Sequence, residues 1–236
     1  MSRSEATVVL AHGAWADGSS WAKVIGPLVA AGIKVIAAPL PLTSFSEDVA
    51  ALDRTIERAP DGVILVAHAY AGAVIGATRS EKVTALVYVA ALAPDQGETV
   101  AEVFYRATPH PEAPKLAPDR HGLIYLPEAA FASAFAQNAE PQELALLAAI
   151  QRPISPACIT VPMQRPLWKD VPAWYLVAEQ DRMIAAETQR FMAGRMKARV
   201  RSIPADHTPL VTAPDAVVDI IREAMRSPAL VTAGEK

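Results

Sequence analysis

Two side chains that could support nucleophilic catalysis follow apolar segments late in the sequence. Asp181 comes shortly after WYLVA, in AEQDR, and His207 lies in PADHTPL. In such a pair the imidazole takes a proton from a nucleophile, while the carboxylate fixes the imidazole tautomer and stabilises its charged form. Upstream, VILVAHAYAG has the small residues of a tight strand-to-helix turn that exposes a nucleophile, but Ala69 occupies the nucleophile position. The sequence therefore predicts a nucleophile site that lacks its functional group.

Two other carboxylates are alternatives for the acid. Asp95 lies just beyond the apolar segment YVAAL, and Asp206 directly precedes His207. Adjacent side chains point away from each other in extended backbone, which makes Asp206 the weaker alternative. Asp181 is the preferred acid because it follows a predicted strand at the edge of the sheet where such folds keep active sites.

The remaining histidines are expected to be structural. His12 follows the first apolar segment, His68 directly precedes the nucleophile position and is expected to be packed or to cap a helix, and His110 and His121 lie in a proline-rich region. Cys158 is the single cysteine, and no Cys/His cluster has metal-ligand spacing. The sequence therefore predicts no disulfide, no metal site and no cofactor.

Composition predicts a single globular domain over residues 1–236. Hydrophobic residues make up 52% and charged residues 20%, which is enough apolar material for a large core. The net charge of −3 comes from interspersed charges without a basic stripe, so nucleic acid is not an expected partner. No apolar run approaches the roughly 20 residues of a membrane span, and the N-terminus lacks the regions of a signal peptide. We expect a cytoplasmic protein and leave a homo-oligomer open.

Short apolar segments alternate with segments of helical periodicity. Strands are predicted at 7–10, 34–38, 63–67, 83–92, 173–178 and 199–203, and helices at 21–32, 49–59, 71–78, 186–196 and 214–226. Ser19 or Ser20 could cap the first helix, and Ser44 and Glu47 have the spacing of a capping box before the second. This alternation predicts an α/β fold with a mostly parallel central sheet and helices on both faces.

The pattern changes between residues 94 and 166, where prolines and aromatic residues are frequent. EAAFASAFAQ and PQELALLAAI are the two segments there with helical periodicity. The segment has too many apolar residues for a solvated linker, so we expect an inserted, mainly helical lid over the sheet. The predicted lining of an apolar substrate pocket is Trp15, Phe104, Tyr105, Met163, Trp168 and Leu210.

The motifs HGAW, AHAYAG, YVAALAPD and AEQDR resemble the small cofactor-free hydrolases of the α/β-hydrolase superfamily. That group includes plant methylesterases, hydroxynitrile lyases and bacterial carboxylesterases. The resemblance spans nearly the whole chain, and position 69, Asp181 and His207 occur in the superfamily's order of nucleophile, acid and histidine. It implies that the backbone amides of Ala14 and Tyr70 form the oxyanion hole.

The resemblance implies a serine hydrolase that cleaves a small, largely apolar ester through an acyl-enzyme. Ala69 allows three interpretations. The leading one is an inactive Ser-to-Ala form of an active enzyme, introduced on purpose. The others are a natural pseudoenzyme that binds a small ligand, and a lyase or cofactor-free oxygenase that uses His207 as a base without covalent catalysis.

Overall fold

The computed structural model describes residues 6–60 and 62–226 of the chain. Its centre is a sheet of six parallel strands in the order β2-β1-β3-β4-β5-β6. The strands are β1 (Thr7–Ala11), β2 (Val35–Ala38), β3 (Val63–His68), β4 (Val83–Val89), β5 (Ala173–Ala178) and β6 (Arg199–Ile203). From β1, inside the sheet, the chain goes to β2 at one edge and returns to β3 on the other side of β1, so β1 and β3 flank the point where the strand order reverses. In open parallel sheets, ligands bind at the carboxyl ends of the strands beside this point.

Helices surround the sheet, as the alternation of elements predicts. They are α1 (Ala22–Ala30), α2 (Phe45–Glu57), α3 (Ala71–Ala77), α4 (Val100–Phe104), α5 (Glu128–Ala130), α6 (Pro141–Ile150), α7 (Ala186–Arg195), α8 (Pro209–Thr212) and α9 (Pro214–Met225). Helix α1 contacts α9, and α2 contacts α3. Every residue of β1, β3 and β5 is buried because helices cover the sheet, whereas β6 forms an exposed edge. The predicted α/β fold is confirmed.

The predicted cap of the first helix is wrong. Ser19 and Ser20 lie within a 3₁₀ turn, Gly18–Trp21, and the Asp17 carboxylate accepts the Ser19 N–H at 2.8 Å. Asp17 therefore caps the turn, and α1 begins after it. The second helix starts earlier than its apolar spacing indicates, at Phe45, where the Ser44 hydroxyl accepts the backbone N–H of residue 47 at 3.3 Å.

Strand β4 is shorter than predicted. It ends at Val89 instead of residue 92, because Ala90 has a φ of +44° and turns the chain out of the sheet. The apolar residues that follow remain buried, which is why the sequence pattern looks like a continuing strand. Leu92 instead donates its N–H to the carbonyl oxygen of Ala69 at 2.9 Å. The end of β4 thus supports the turn that follows β3.

The insertion between β4 and β5 has helices as its regular elements. EAAFASAFAQ does not form one α-helix: α5 is a single turn that continues as a π-helical turn, Phe131–Phe135. Residues 106–127 contain no helix, and Ile124 forms an isolated antiparallel bridge with Ile154. Phe131 and Phe135 are nevertheless fully buried, so the insertion packs as part of the core. Across the described residues, no helix has the length and apolar character needed to cross a bilayer.

Candidate active site

The turn between β3 and α3 is strained at its centre. Ala69 has a φ of +49°, a left-handed conformation that is uncommon for a residue with a side chain and persists where the surroundings enforce it. Its carbonyl oxygen accepts the N–H groups of Gly72 and Leu92 at 3.1 and 2.9 Å. A Cβ added to Gly72 would lie 2.3 Å from the carbonyl oxygen of Leu92, so glycine is required for this close approach. The turn has the shape of a nucleophile elbow, with Ala69 at its apex.

The loop after β1 packs directly against this turn. A Cβ added to Gly13 would lie 2.9 Å from the Cβ of Ala69, which requires glycine at that position. The His12 imidazole is buried, and its Nε2 accepts the Leu40 N–H at 3.2 Å while its Nδ1–H donates to the Gly13 carbonyl at 3.0 Å. Burial lowers the pKa of His12, and the hydrogen bond to Gly13 opposes that shift. His12 therefore fixes the loop as a neutral side chain.

His207 and Asp181 form a buried hydrogen-bonded pair. The Nδ1–H of His207 donates to Asp181 Oδ2 at 2.8 Å, and both side chains are almost completely buried. Asp181 Oδ1 accepts the backbone N–H groups of Met183 and Ile184 at 2.7 and 2.8 Å. These bonds orient the carboxylate and set the imidazole tautomer, which leaves Nε2 of His207 free to accept a proton.

Gln189 on α7 is a further part of this arrangement that the sequence did not indicate. Its Nε2 donates to Asp181 Oδ2 and to the Ile184 carbonyl, both at 2.8 Å, and its Oε1 accepts the Ala178 N–H at 3.0 Å. A glutamine within a helical segment usually lies on the solvent face, so sequence pattern gives no signal for this role. The amide adds a second donor to the oxygen that His207 contacts.

The two amides that the resemblance assigns to an oxyanion hole lie beside Ala69. Neither the Ala14 nor the Tyr70 N–H donates to an acceptor within the described residues, although both residues are buried. Tyr70 follows Ala69 at the start of α3, and Trp15 after Ala14 has a φ of +57°. Buried N–H groups are normally paired, so two free amides at one cavity favour binding of a negatively charged oxygen there.

A cavity with a mostly apolar lining joins these groups. Its titratable lining side chains are His207, Tyr70 and Tyr105. The other lining residues are apolar: Ala14, Trp15, Ala69, Leu92, Val100, Ala101, Phe104, Leu116, Ile124, Ile154, Ile159 and Ile184. No Asp, Glu, Lys or Arg contributes to this wall. The cavity can therefore take an uncharged apolar molecule with its reactive group near residue 69.

The structure separates the predicted lining residues into two groups. Trp15, Phe104 and Tyr105 line the cavity, whereas Met163, Trp168 and Leu210 lie outside its wall. Met163 and Trp168 are buried among the packing around α3 and α7, and Leu210 is buried in α8. These three are core residues, because an aromatic or methionine near a lid fills space between elements as readily as it lines a pocket.

The two alternative carboxylates have other partners. Asp95 pairs with Lys169 at 2.5 Å and is one-third exposed. Asp206 is fully buried; its Oδ1 accepts the hydroxyl of Thr212 at 2.7 Å and the N–H of Thr208 at 3.0 Å, and its Oδ2 accepts the Asn138 N–H at 2.9 Å. Asp206 therefore fixes the loop that carries the histidine and ties it to the insertion. Asp181 is the carboxylate that contacts His207.

The buried carboxylate of Asp48 supports the elbow through a hydrogen bond to the side chain of Tyr70. The Tyr70 hydroxyl donates to Asp48 Oδ2 at 2.6 Å, and Asp48 Oδ1 accepts the Leu42 N–H at 2.7 Å. Burial raises the pKa of Asp48, and these two hydrogen bonds oppose that shift. Burial raises the pKa of the neighbouring Cys158 thiol to about 12, so this cysteine is an unreactive core residue. Asp48 therefore anchors the side chain of Tyr70, the residue that follows Ala69 and lines the cavity.

The three remaining histidines, His68, His110 and His121, differ in their environment. His110 and His121 are exposed on the insertion, while His68 is buried and its Nε2–H donates to the His207 carbonyl at 2.7 Å. Among the residues that the structure describes, no group of three or more His, Cys, Asp and Glu side chains could hold a metal ion.

The parallel sheet, the elbow and the buried His–Asp pair define a protein of the α/β-hydrolase class. Residues 8–220 match the Alpha/beta hydrolase family, and the chain belongs to that family. No curated protein matches the chain. The family assignment confirms the resemblance found from HGAW, AHAYAG, YVAALAPD and AEQDR.

Solved structures show the same fold at low sequence identity. Polyneuridine aldehyde esterase has a TM-score of 0.81 at 20% identity, covering 93% of this chain and 98% of its own. A pyrethroid hydrolase from Sphingobium faniae JZ-2 has a TM-score of 0.75 at 21% identity, covering 95% and 99%. A variant of tomato methylketone synthase I complexed with β-ketoheptanoate has a TM-score of 0.77 at 18% identity, covering 93% and 97%. At these identities the likeness concerns the fold.

Proposed function

We propose that this site is that of a serine-type carboxylic ester hydrolase and that the chain with Ala69 is its inactive form. The observation that carries the proposal is the convergence on one cavity of a strained elbow at Ala69, a His207–Asp181 pair and two free amides. A binding pocket does not require this combination, whereas acyl transfer does. In this proposal the Ala69 chain retains the pocket and binds its substrate without cleaving it.

With a serine at position 69, the reaction would proceed in two halves. His207 Nε2 takes the hydroxyl proton as the oxygen attacks the ester carbonyl, and the amides of Ala14 and Tyr70 stabilise the oxyanion. The imidazolium then returns the proton to the leaving alcohol, which leaves an acyl-enzyme. Water deprotonated by His207 releases the acid and restores the hydroxyl. The Asp181 carboxylate stabilises the imidazolium at both steps.

The cavity wall supports an uncharged ester as the substrate. No charged side chain lines the cavity to compensate a carboxylate or an ammonium group on the ligand. Desolvating such a charge without a partner is strongly unfavourable, whereas apolar acyl and alcohol groups gain from burial. Neutral esters with apolar groups on both sides of the carbonyl are the class that fits.

The Ala69→Ser variant tests this proposal. Stopped-flow hydrolysis of p-nitrophenyl butyrate should show a burst of nitrophenol and a kcat on the order of 10⁶ above that of the Ala69 chain. A fluorophosphonate should transfer its phosphonyl group to the introduced serine of the variant with loss of fluoride, which adds the mass of the reagent minus HF, and it should not modify the Ala69 chain. The double variant Ala69→Ser, His207→Ala is the control and should lose the burst. A variant with normal folding, no burst and no fluorophosphonate adduct would contradict the proposal.

A second candidate uses the site as it stands, without a nucleophile. With Ala69, the His207–Asp181 pair and the free amides are still in place. In this second candidate they would support lyase or oxygenase chemistry through an enolate. In this candidate His207 would be protonated and would pair with the carboxylate of a β-keto acid, a charge that the neutral imidazole of the ester proposal does not compensate. The substrate would lose carbon dioxide to give an enolate held at the amides, and the His207 imidazolium would then protonate the enolate carbon. The complex of tomato methylketone synthase I with β-ketoheptanoate supports testing this substrate class first.

The two candidates differ in what the Ala69 chain does. Release of carbon dioxide from β-ketoheptanoate by the Ala69 chain, lost in His207→Ala, would favour the second candidate over an inactive hydrolase. The first candidate is favoured by two results together. The Ala69 chain should bind an intact neutral ester tightly and turn over neither substrate class, and the Ala69→Ser variant should cleave that ester. Binding without any gain from Ala69→Ser would identify a small-ligand-binding protein.

A further inference from the structure

His68 is a buried imidazole beside the base that the proposed reaction does not use. It is 1% exposed and ends β3, directly before Ala69. Its Nε2 lies 2.7 Å from the carbonyl oxygen of His207, a bond that joins positions 139 residues apart in the sequence. The centres of the two imidazole rings are 4.8 Å apart. The last residue of β3, directly before the nucleophile position, thus contacts the loop that carries the base.

The surroundings of His68 fix its protonation state and its tautomer. The carbonyl oxygen of His207 can only accept a hydrogen bond, so Nε2 of His68 carries the proton and Nδ1 is unprotonated, with a free lone pair. Nδ1 is buried and has no partner in the described part of the chain. Burial lowers the pKa of His68 well below its ordinary value, and the nearby His207 lowers it further. His68 is therefore a neutral donor next to a residue that must become positively charged during catalysis.

The carbonyl of His207 depends on this donor. Within the described residues, no backbone N–H donates to that oxygen, and His68 supplies its hydrogen bond. The side chain of His207 is fixed separately by Asp181, and the preceding residue, Asp206, is fixed by Thr208, Thr212 and the insertion. The His68 bond is the contact that ties the backbone of the base directly to the elbow.

We infer that His68 is a positioning residue that holds the backbone of His207 so that its imidazole remains on Asp181 and its Nε2 faces position 69. The distance between nucleophile and base depends on the relative placement of two loops, and misplacement of about 1 Å can cost up to 10²-fold in rate. A hydrogen bond from the residue next to the nucleophile to the base's own carbonyl fixes that placement directly. The catalytic part of this inference rests on the proposed ester hydrolysis, and the structural part does not.

Three replacements of His68 separate the hydrogen bond from simple packing. In His68→Gln, the terminal amide nitrogen can occupy the place of Nε2 and donate to the same carbonyl. In His68→Asn, the amide reaches only the place of Nδ1, so the side chain stays polar but the donor is lost. His68→Leu removes all polarity and serves as the packing control. Circular dichroism and thermal unfolding establish which variants are folded. If His68→Leu does not fold, the comparison of His68→Gln with His68→Asn still shows whether the hydrogen bond matters.

The first readout uses the Ala69 chain and needs no activity. The Nδ1–H of His207, bonded to Asp181, should give a downfield proton resonance that disappears in His207→Gln. We expect this resonance to persist in His68→Gln and to broaden or vanish in folded His68→Asn. An unchanged resonance, with an unchanged His207 titration, in His68→Asn would overturn the positioning role.

The second readout uses the Ala69→Ser background. His68→Asn should lower kcat for p-nitrophenyl butyrate about tenfold with KM within about twofold, while His68→Gln should stay within about twofold in both. Equal losses in the Gln and Asn variants would overturn the hydrogen-bond explanation. If Ala69→Ser has no esterase activity at all, the proposed function fails while the resonance of His207 still decides the role of His68.

Discussion

The sheet and the insertion contribute to the site in different ways. The loops at the carboxyl ends of β1, β3, β5 and β6 carry polar groups held by buried hydrogen bonds, such as the bond between Asp181 and His207. The insertion contributes mainly apolar walls, such as Phe104 and Ile159, from short helices and irregular segments. The edge of the sheet therefore supplies the polar groups of the site, and the insertion supplies much of the apolar wall of the cavity. The Asn138–Asp206 and His68–Phe135 contacts connect the two regions.

The largest effect should come from the polar pair at the sheet edge. In the Ala69→Ser background, Asp181→Asn should lower kcat for p-nitrophenyl butyrate by about 10⁴, because an amide cannot both keep the His207 tautomer and stabilise the imidazolium. Asp95→Asn is the matched control, since Asp95 pairs with Lys169 at the protein surface and should change kcat less than about twofold. The opposite ranking of these two variants would show that Asp95 is the acid.

The next effect concerns the backbone of the elbow. Gly72→Ala places a methyl group where the Leu92 carbonyl oxygen would be 2.3 Å away, so we expect a loss of about 3 kcal/mol in the free energy of unfolding. Gly194→Ala is the control, because it is also helical and its added Cβ meets nothing within 4 Å. That change should stabilise by up to about 1 kcal/mol. Equal urea midpoints for both variants would contradict the close approach at the elbow.

The difference between the sheet and the insertion also explains which features could be predicted from the sequence. The β-strands and the positions of Asp181 and His207 follow from apolar runs bounded by polar loop residues, a pattern that parallel sheets impose locally. The end of β4 was missed, since the buried residues after Val89 continue the same apolar pattern while a positive φ at Ala90 turns the chain. Local patterns report burial, and they do not report where a buried segment stops pairing.

The lining of the cavity was predicted less well for a related reason. Phe104 and Met163 are both apolar residues of the insertion, yet one lines the cavity and the other lies in the core near Gly76. Phe104 ends a helix of five residues and Met163 lies in irregular backbone, so no periodicity encodes which way either side chain faces. Gln189 and Asp48 were missed because buried polar residues within helices resemble surface residues in sequence.

A smaller effect should follow from changing the insertion's wall. Phe104 and Tyr105 line both the main cavity and a second cavity, whose wall also includes Thr108, His110 and Met183. In the Ala69→Ser background, Phe104→Ala should join the two cavities and raise the ratio of kcat/KM for p-nitrophenyl decanoate to that for the butyrate by about tenfold. Tenfold is about 1.4 kcal/mol, or burial of roughly two further methylenes at about 0.8 kcal/mol each. Leu146→Ala, an exposed position of the insertion, is the control and should leave the ratio unchanged. An unaltered chain-length preference in Phe104→Ala would contradict its role as a partition.

The smallest effect is a difference in acid sensitivity that originates in the sheet region. Burial lowers the pKa of His68 in the folded protein. At a pH below about 6.5, the pKa of histidine in the unfolded chain, the unfolded chain therefore binds a proton at His68 that the folded chain does not. Stability should therefore fall as pH drops below about 6.5, by up to about 1.4 kcal/mol per pH unit for this group. His68→Gln cannot titrate but keeps the donor, so its urea-derived stability should fall less steeply between about pH 6.5 and pH 5. His12 and Asp48, whose pKa values are shifted in opposite directions, are common to both chains and cancel in the difference. Parallel stability curves would mean that His68 is protonated in the folded protein, which is incompatible with a neutral donor buried beside His207.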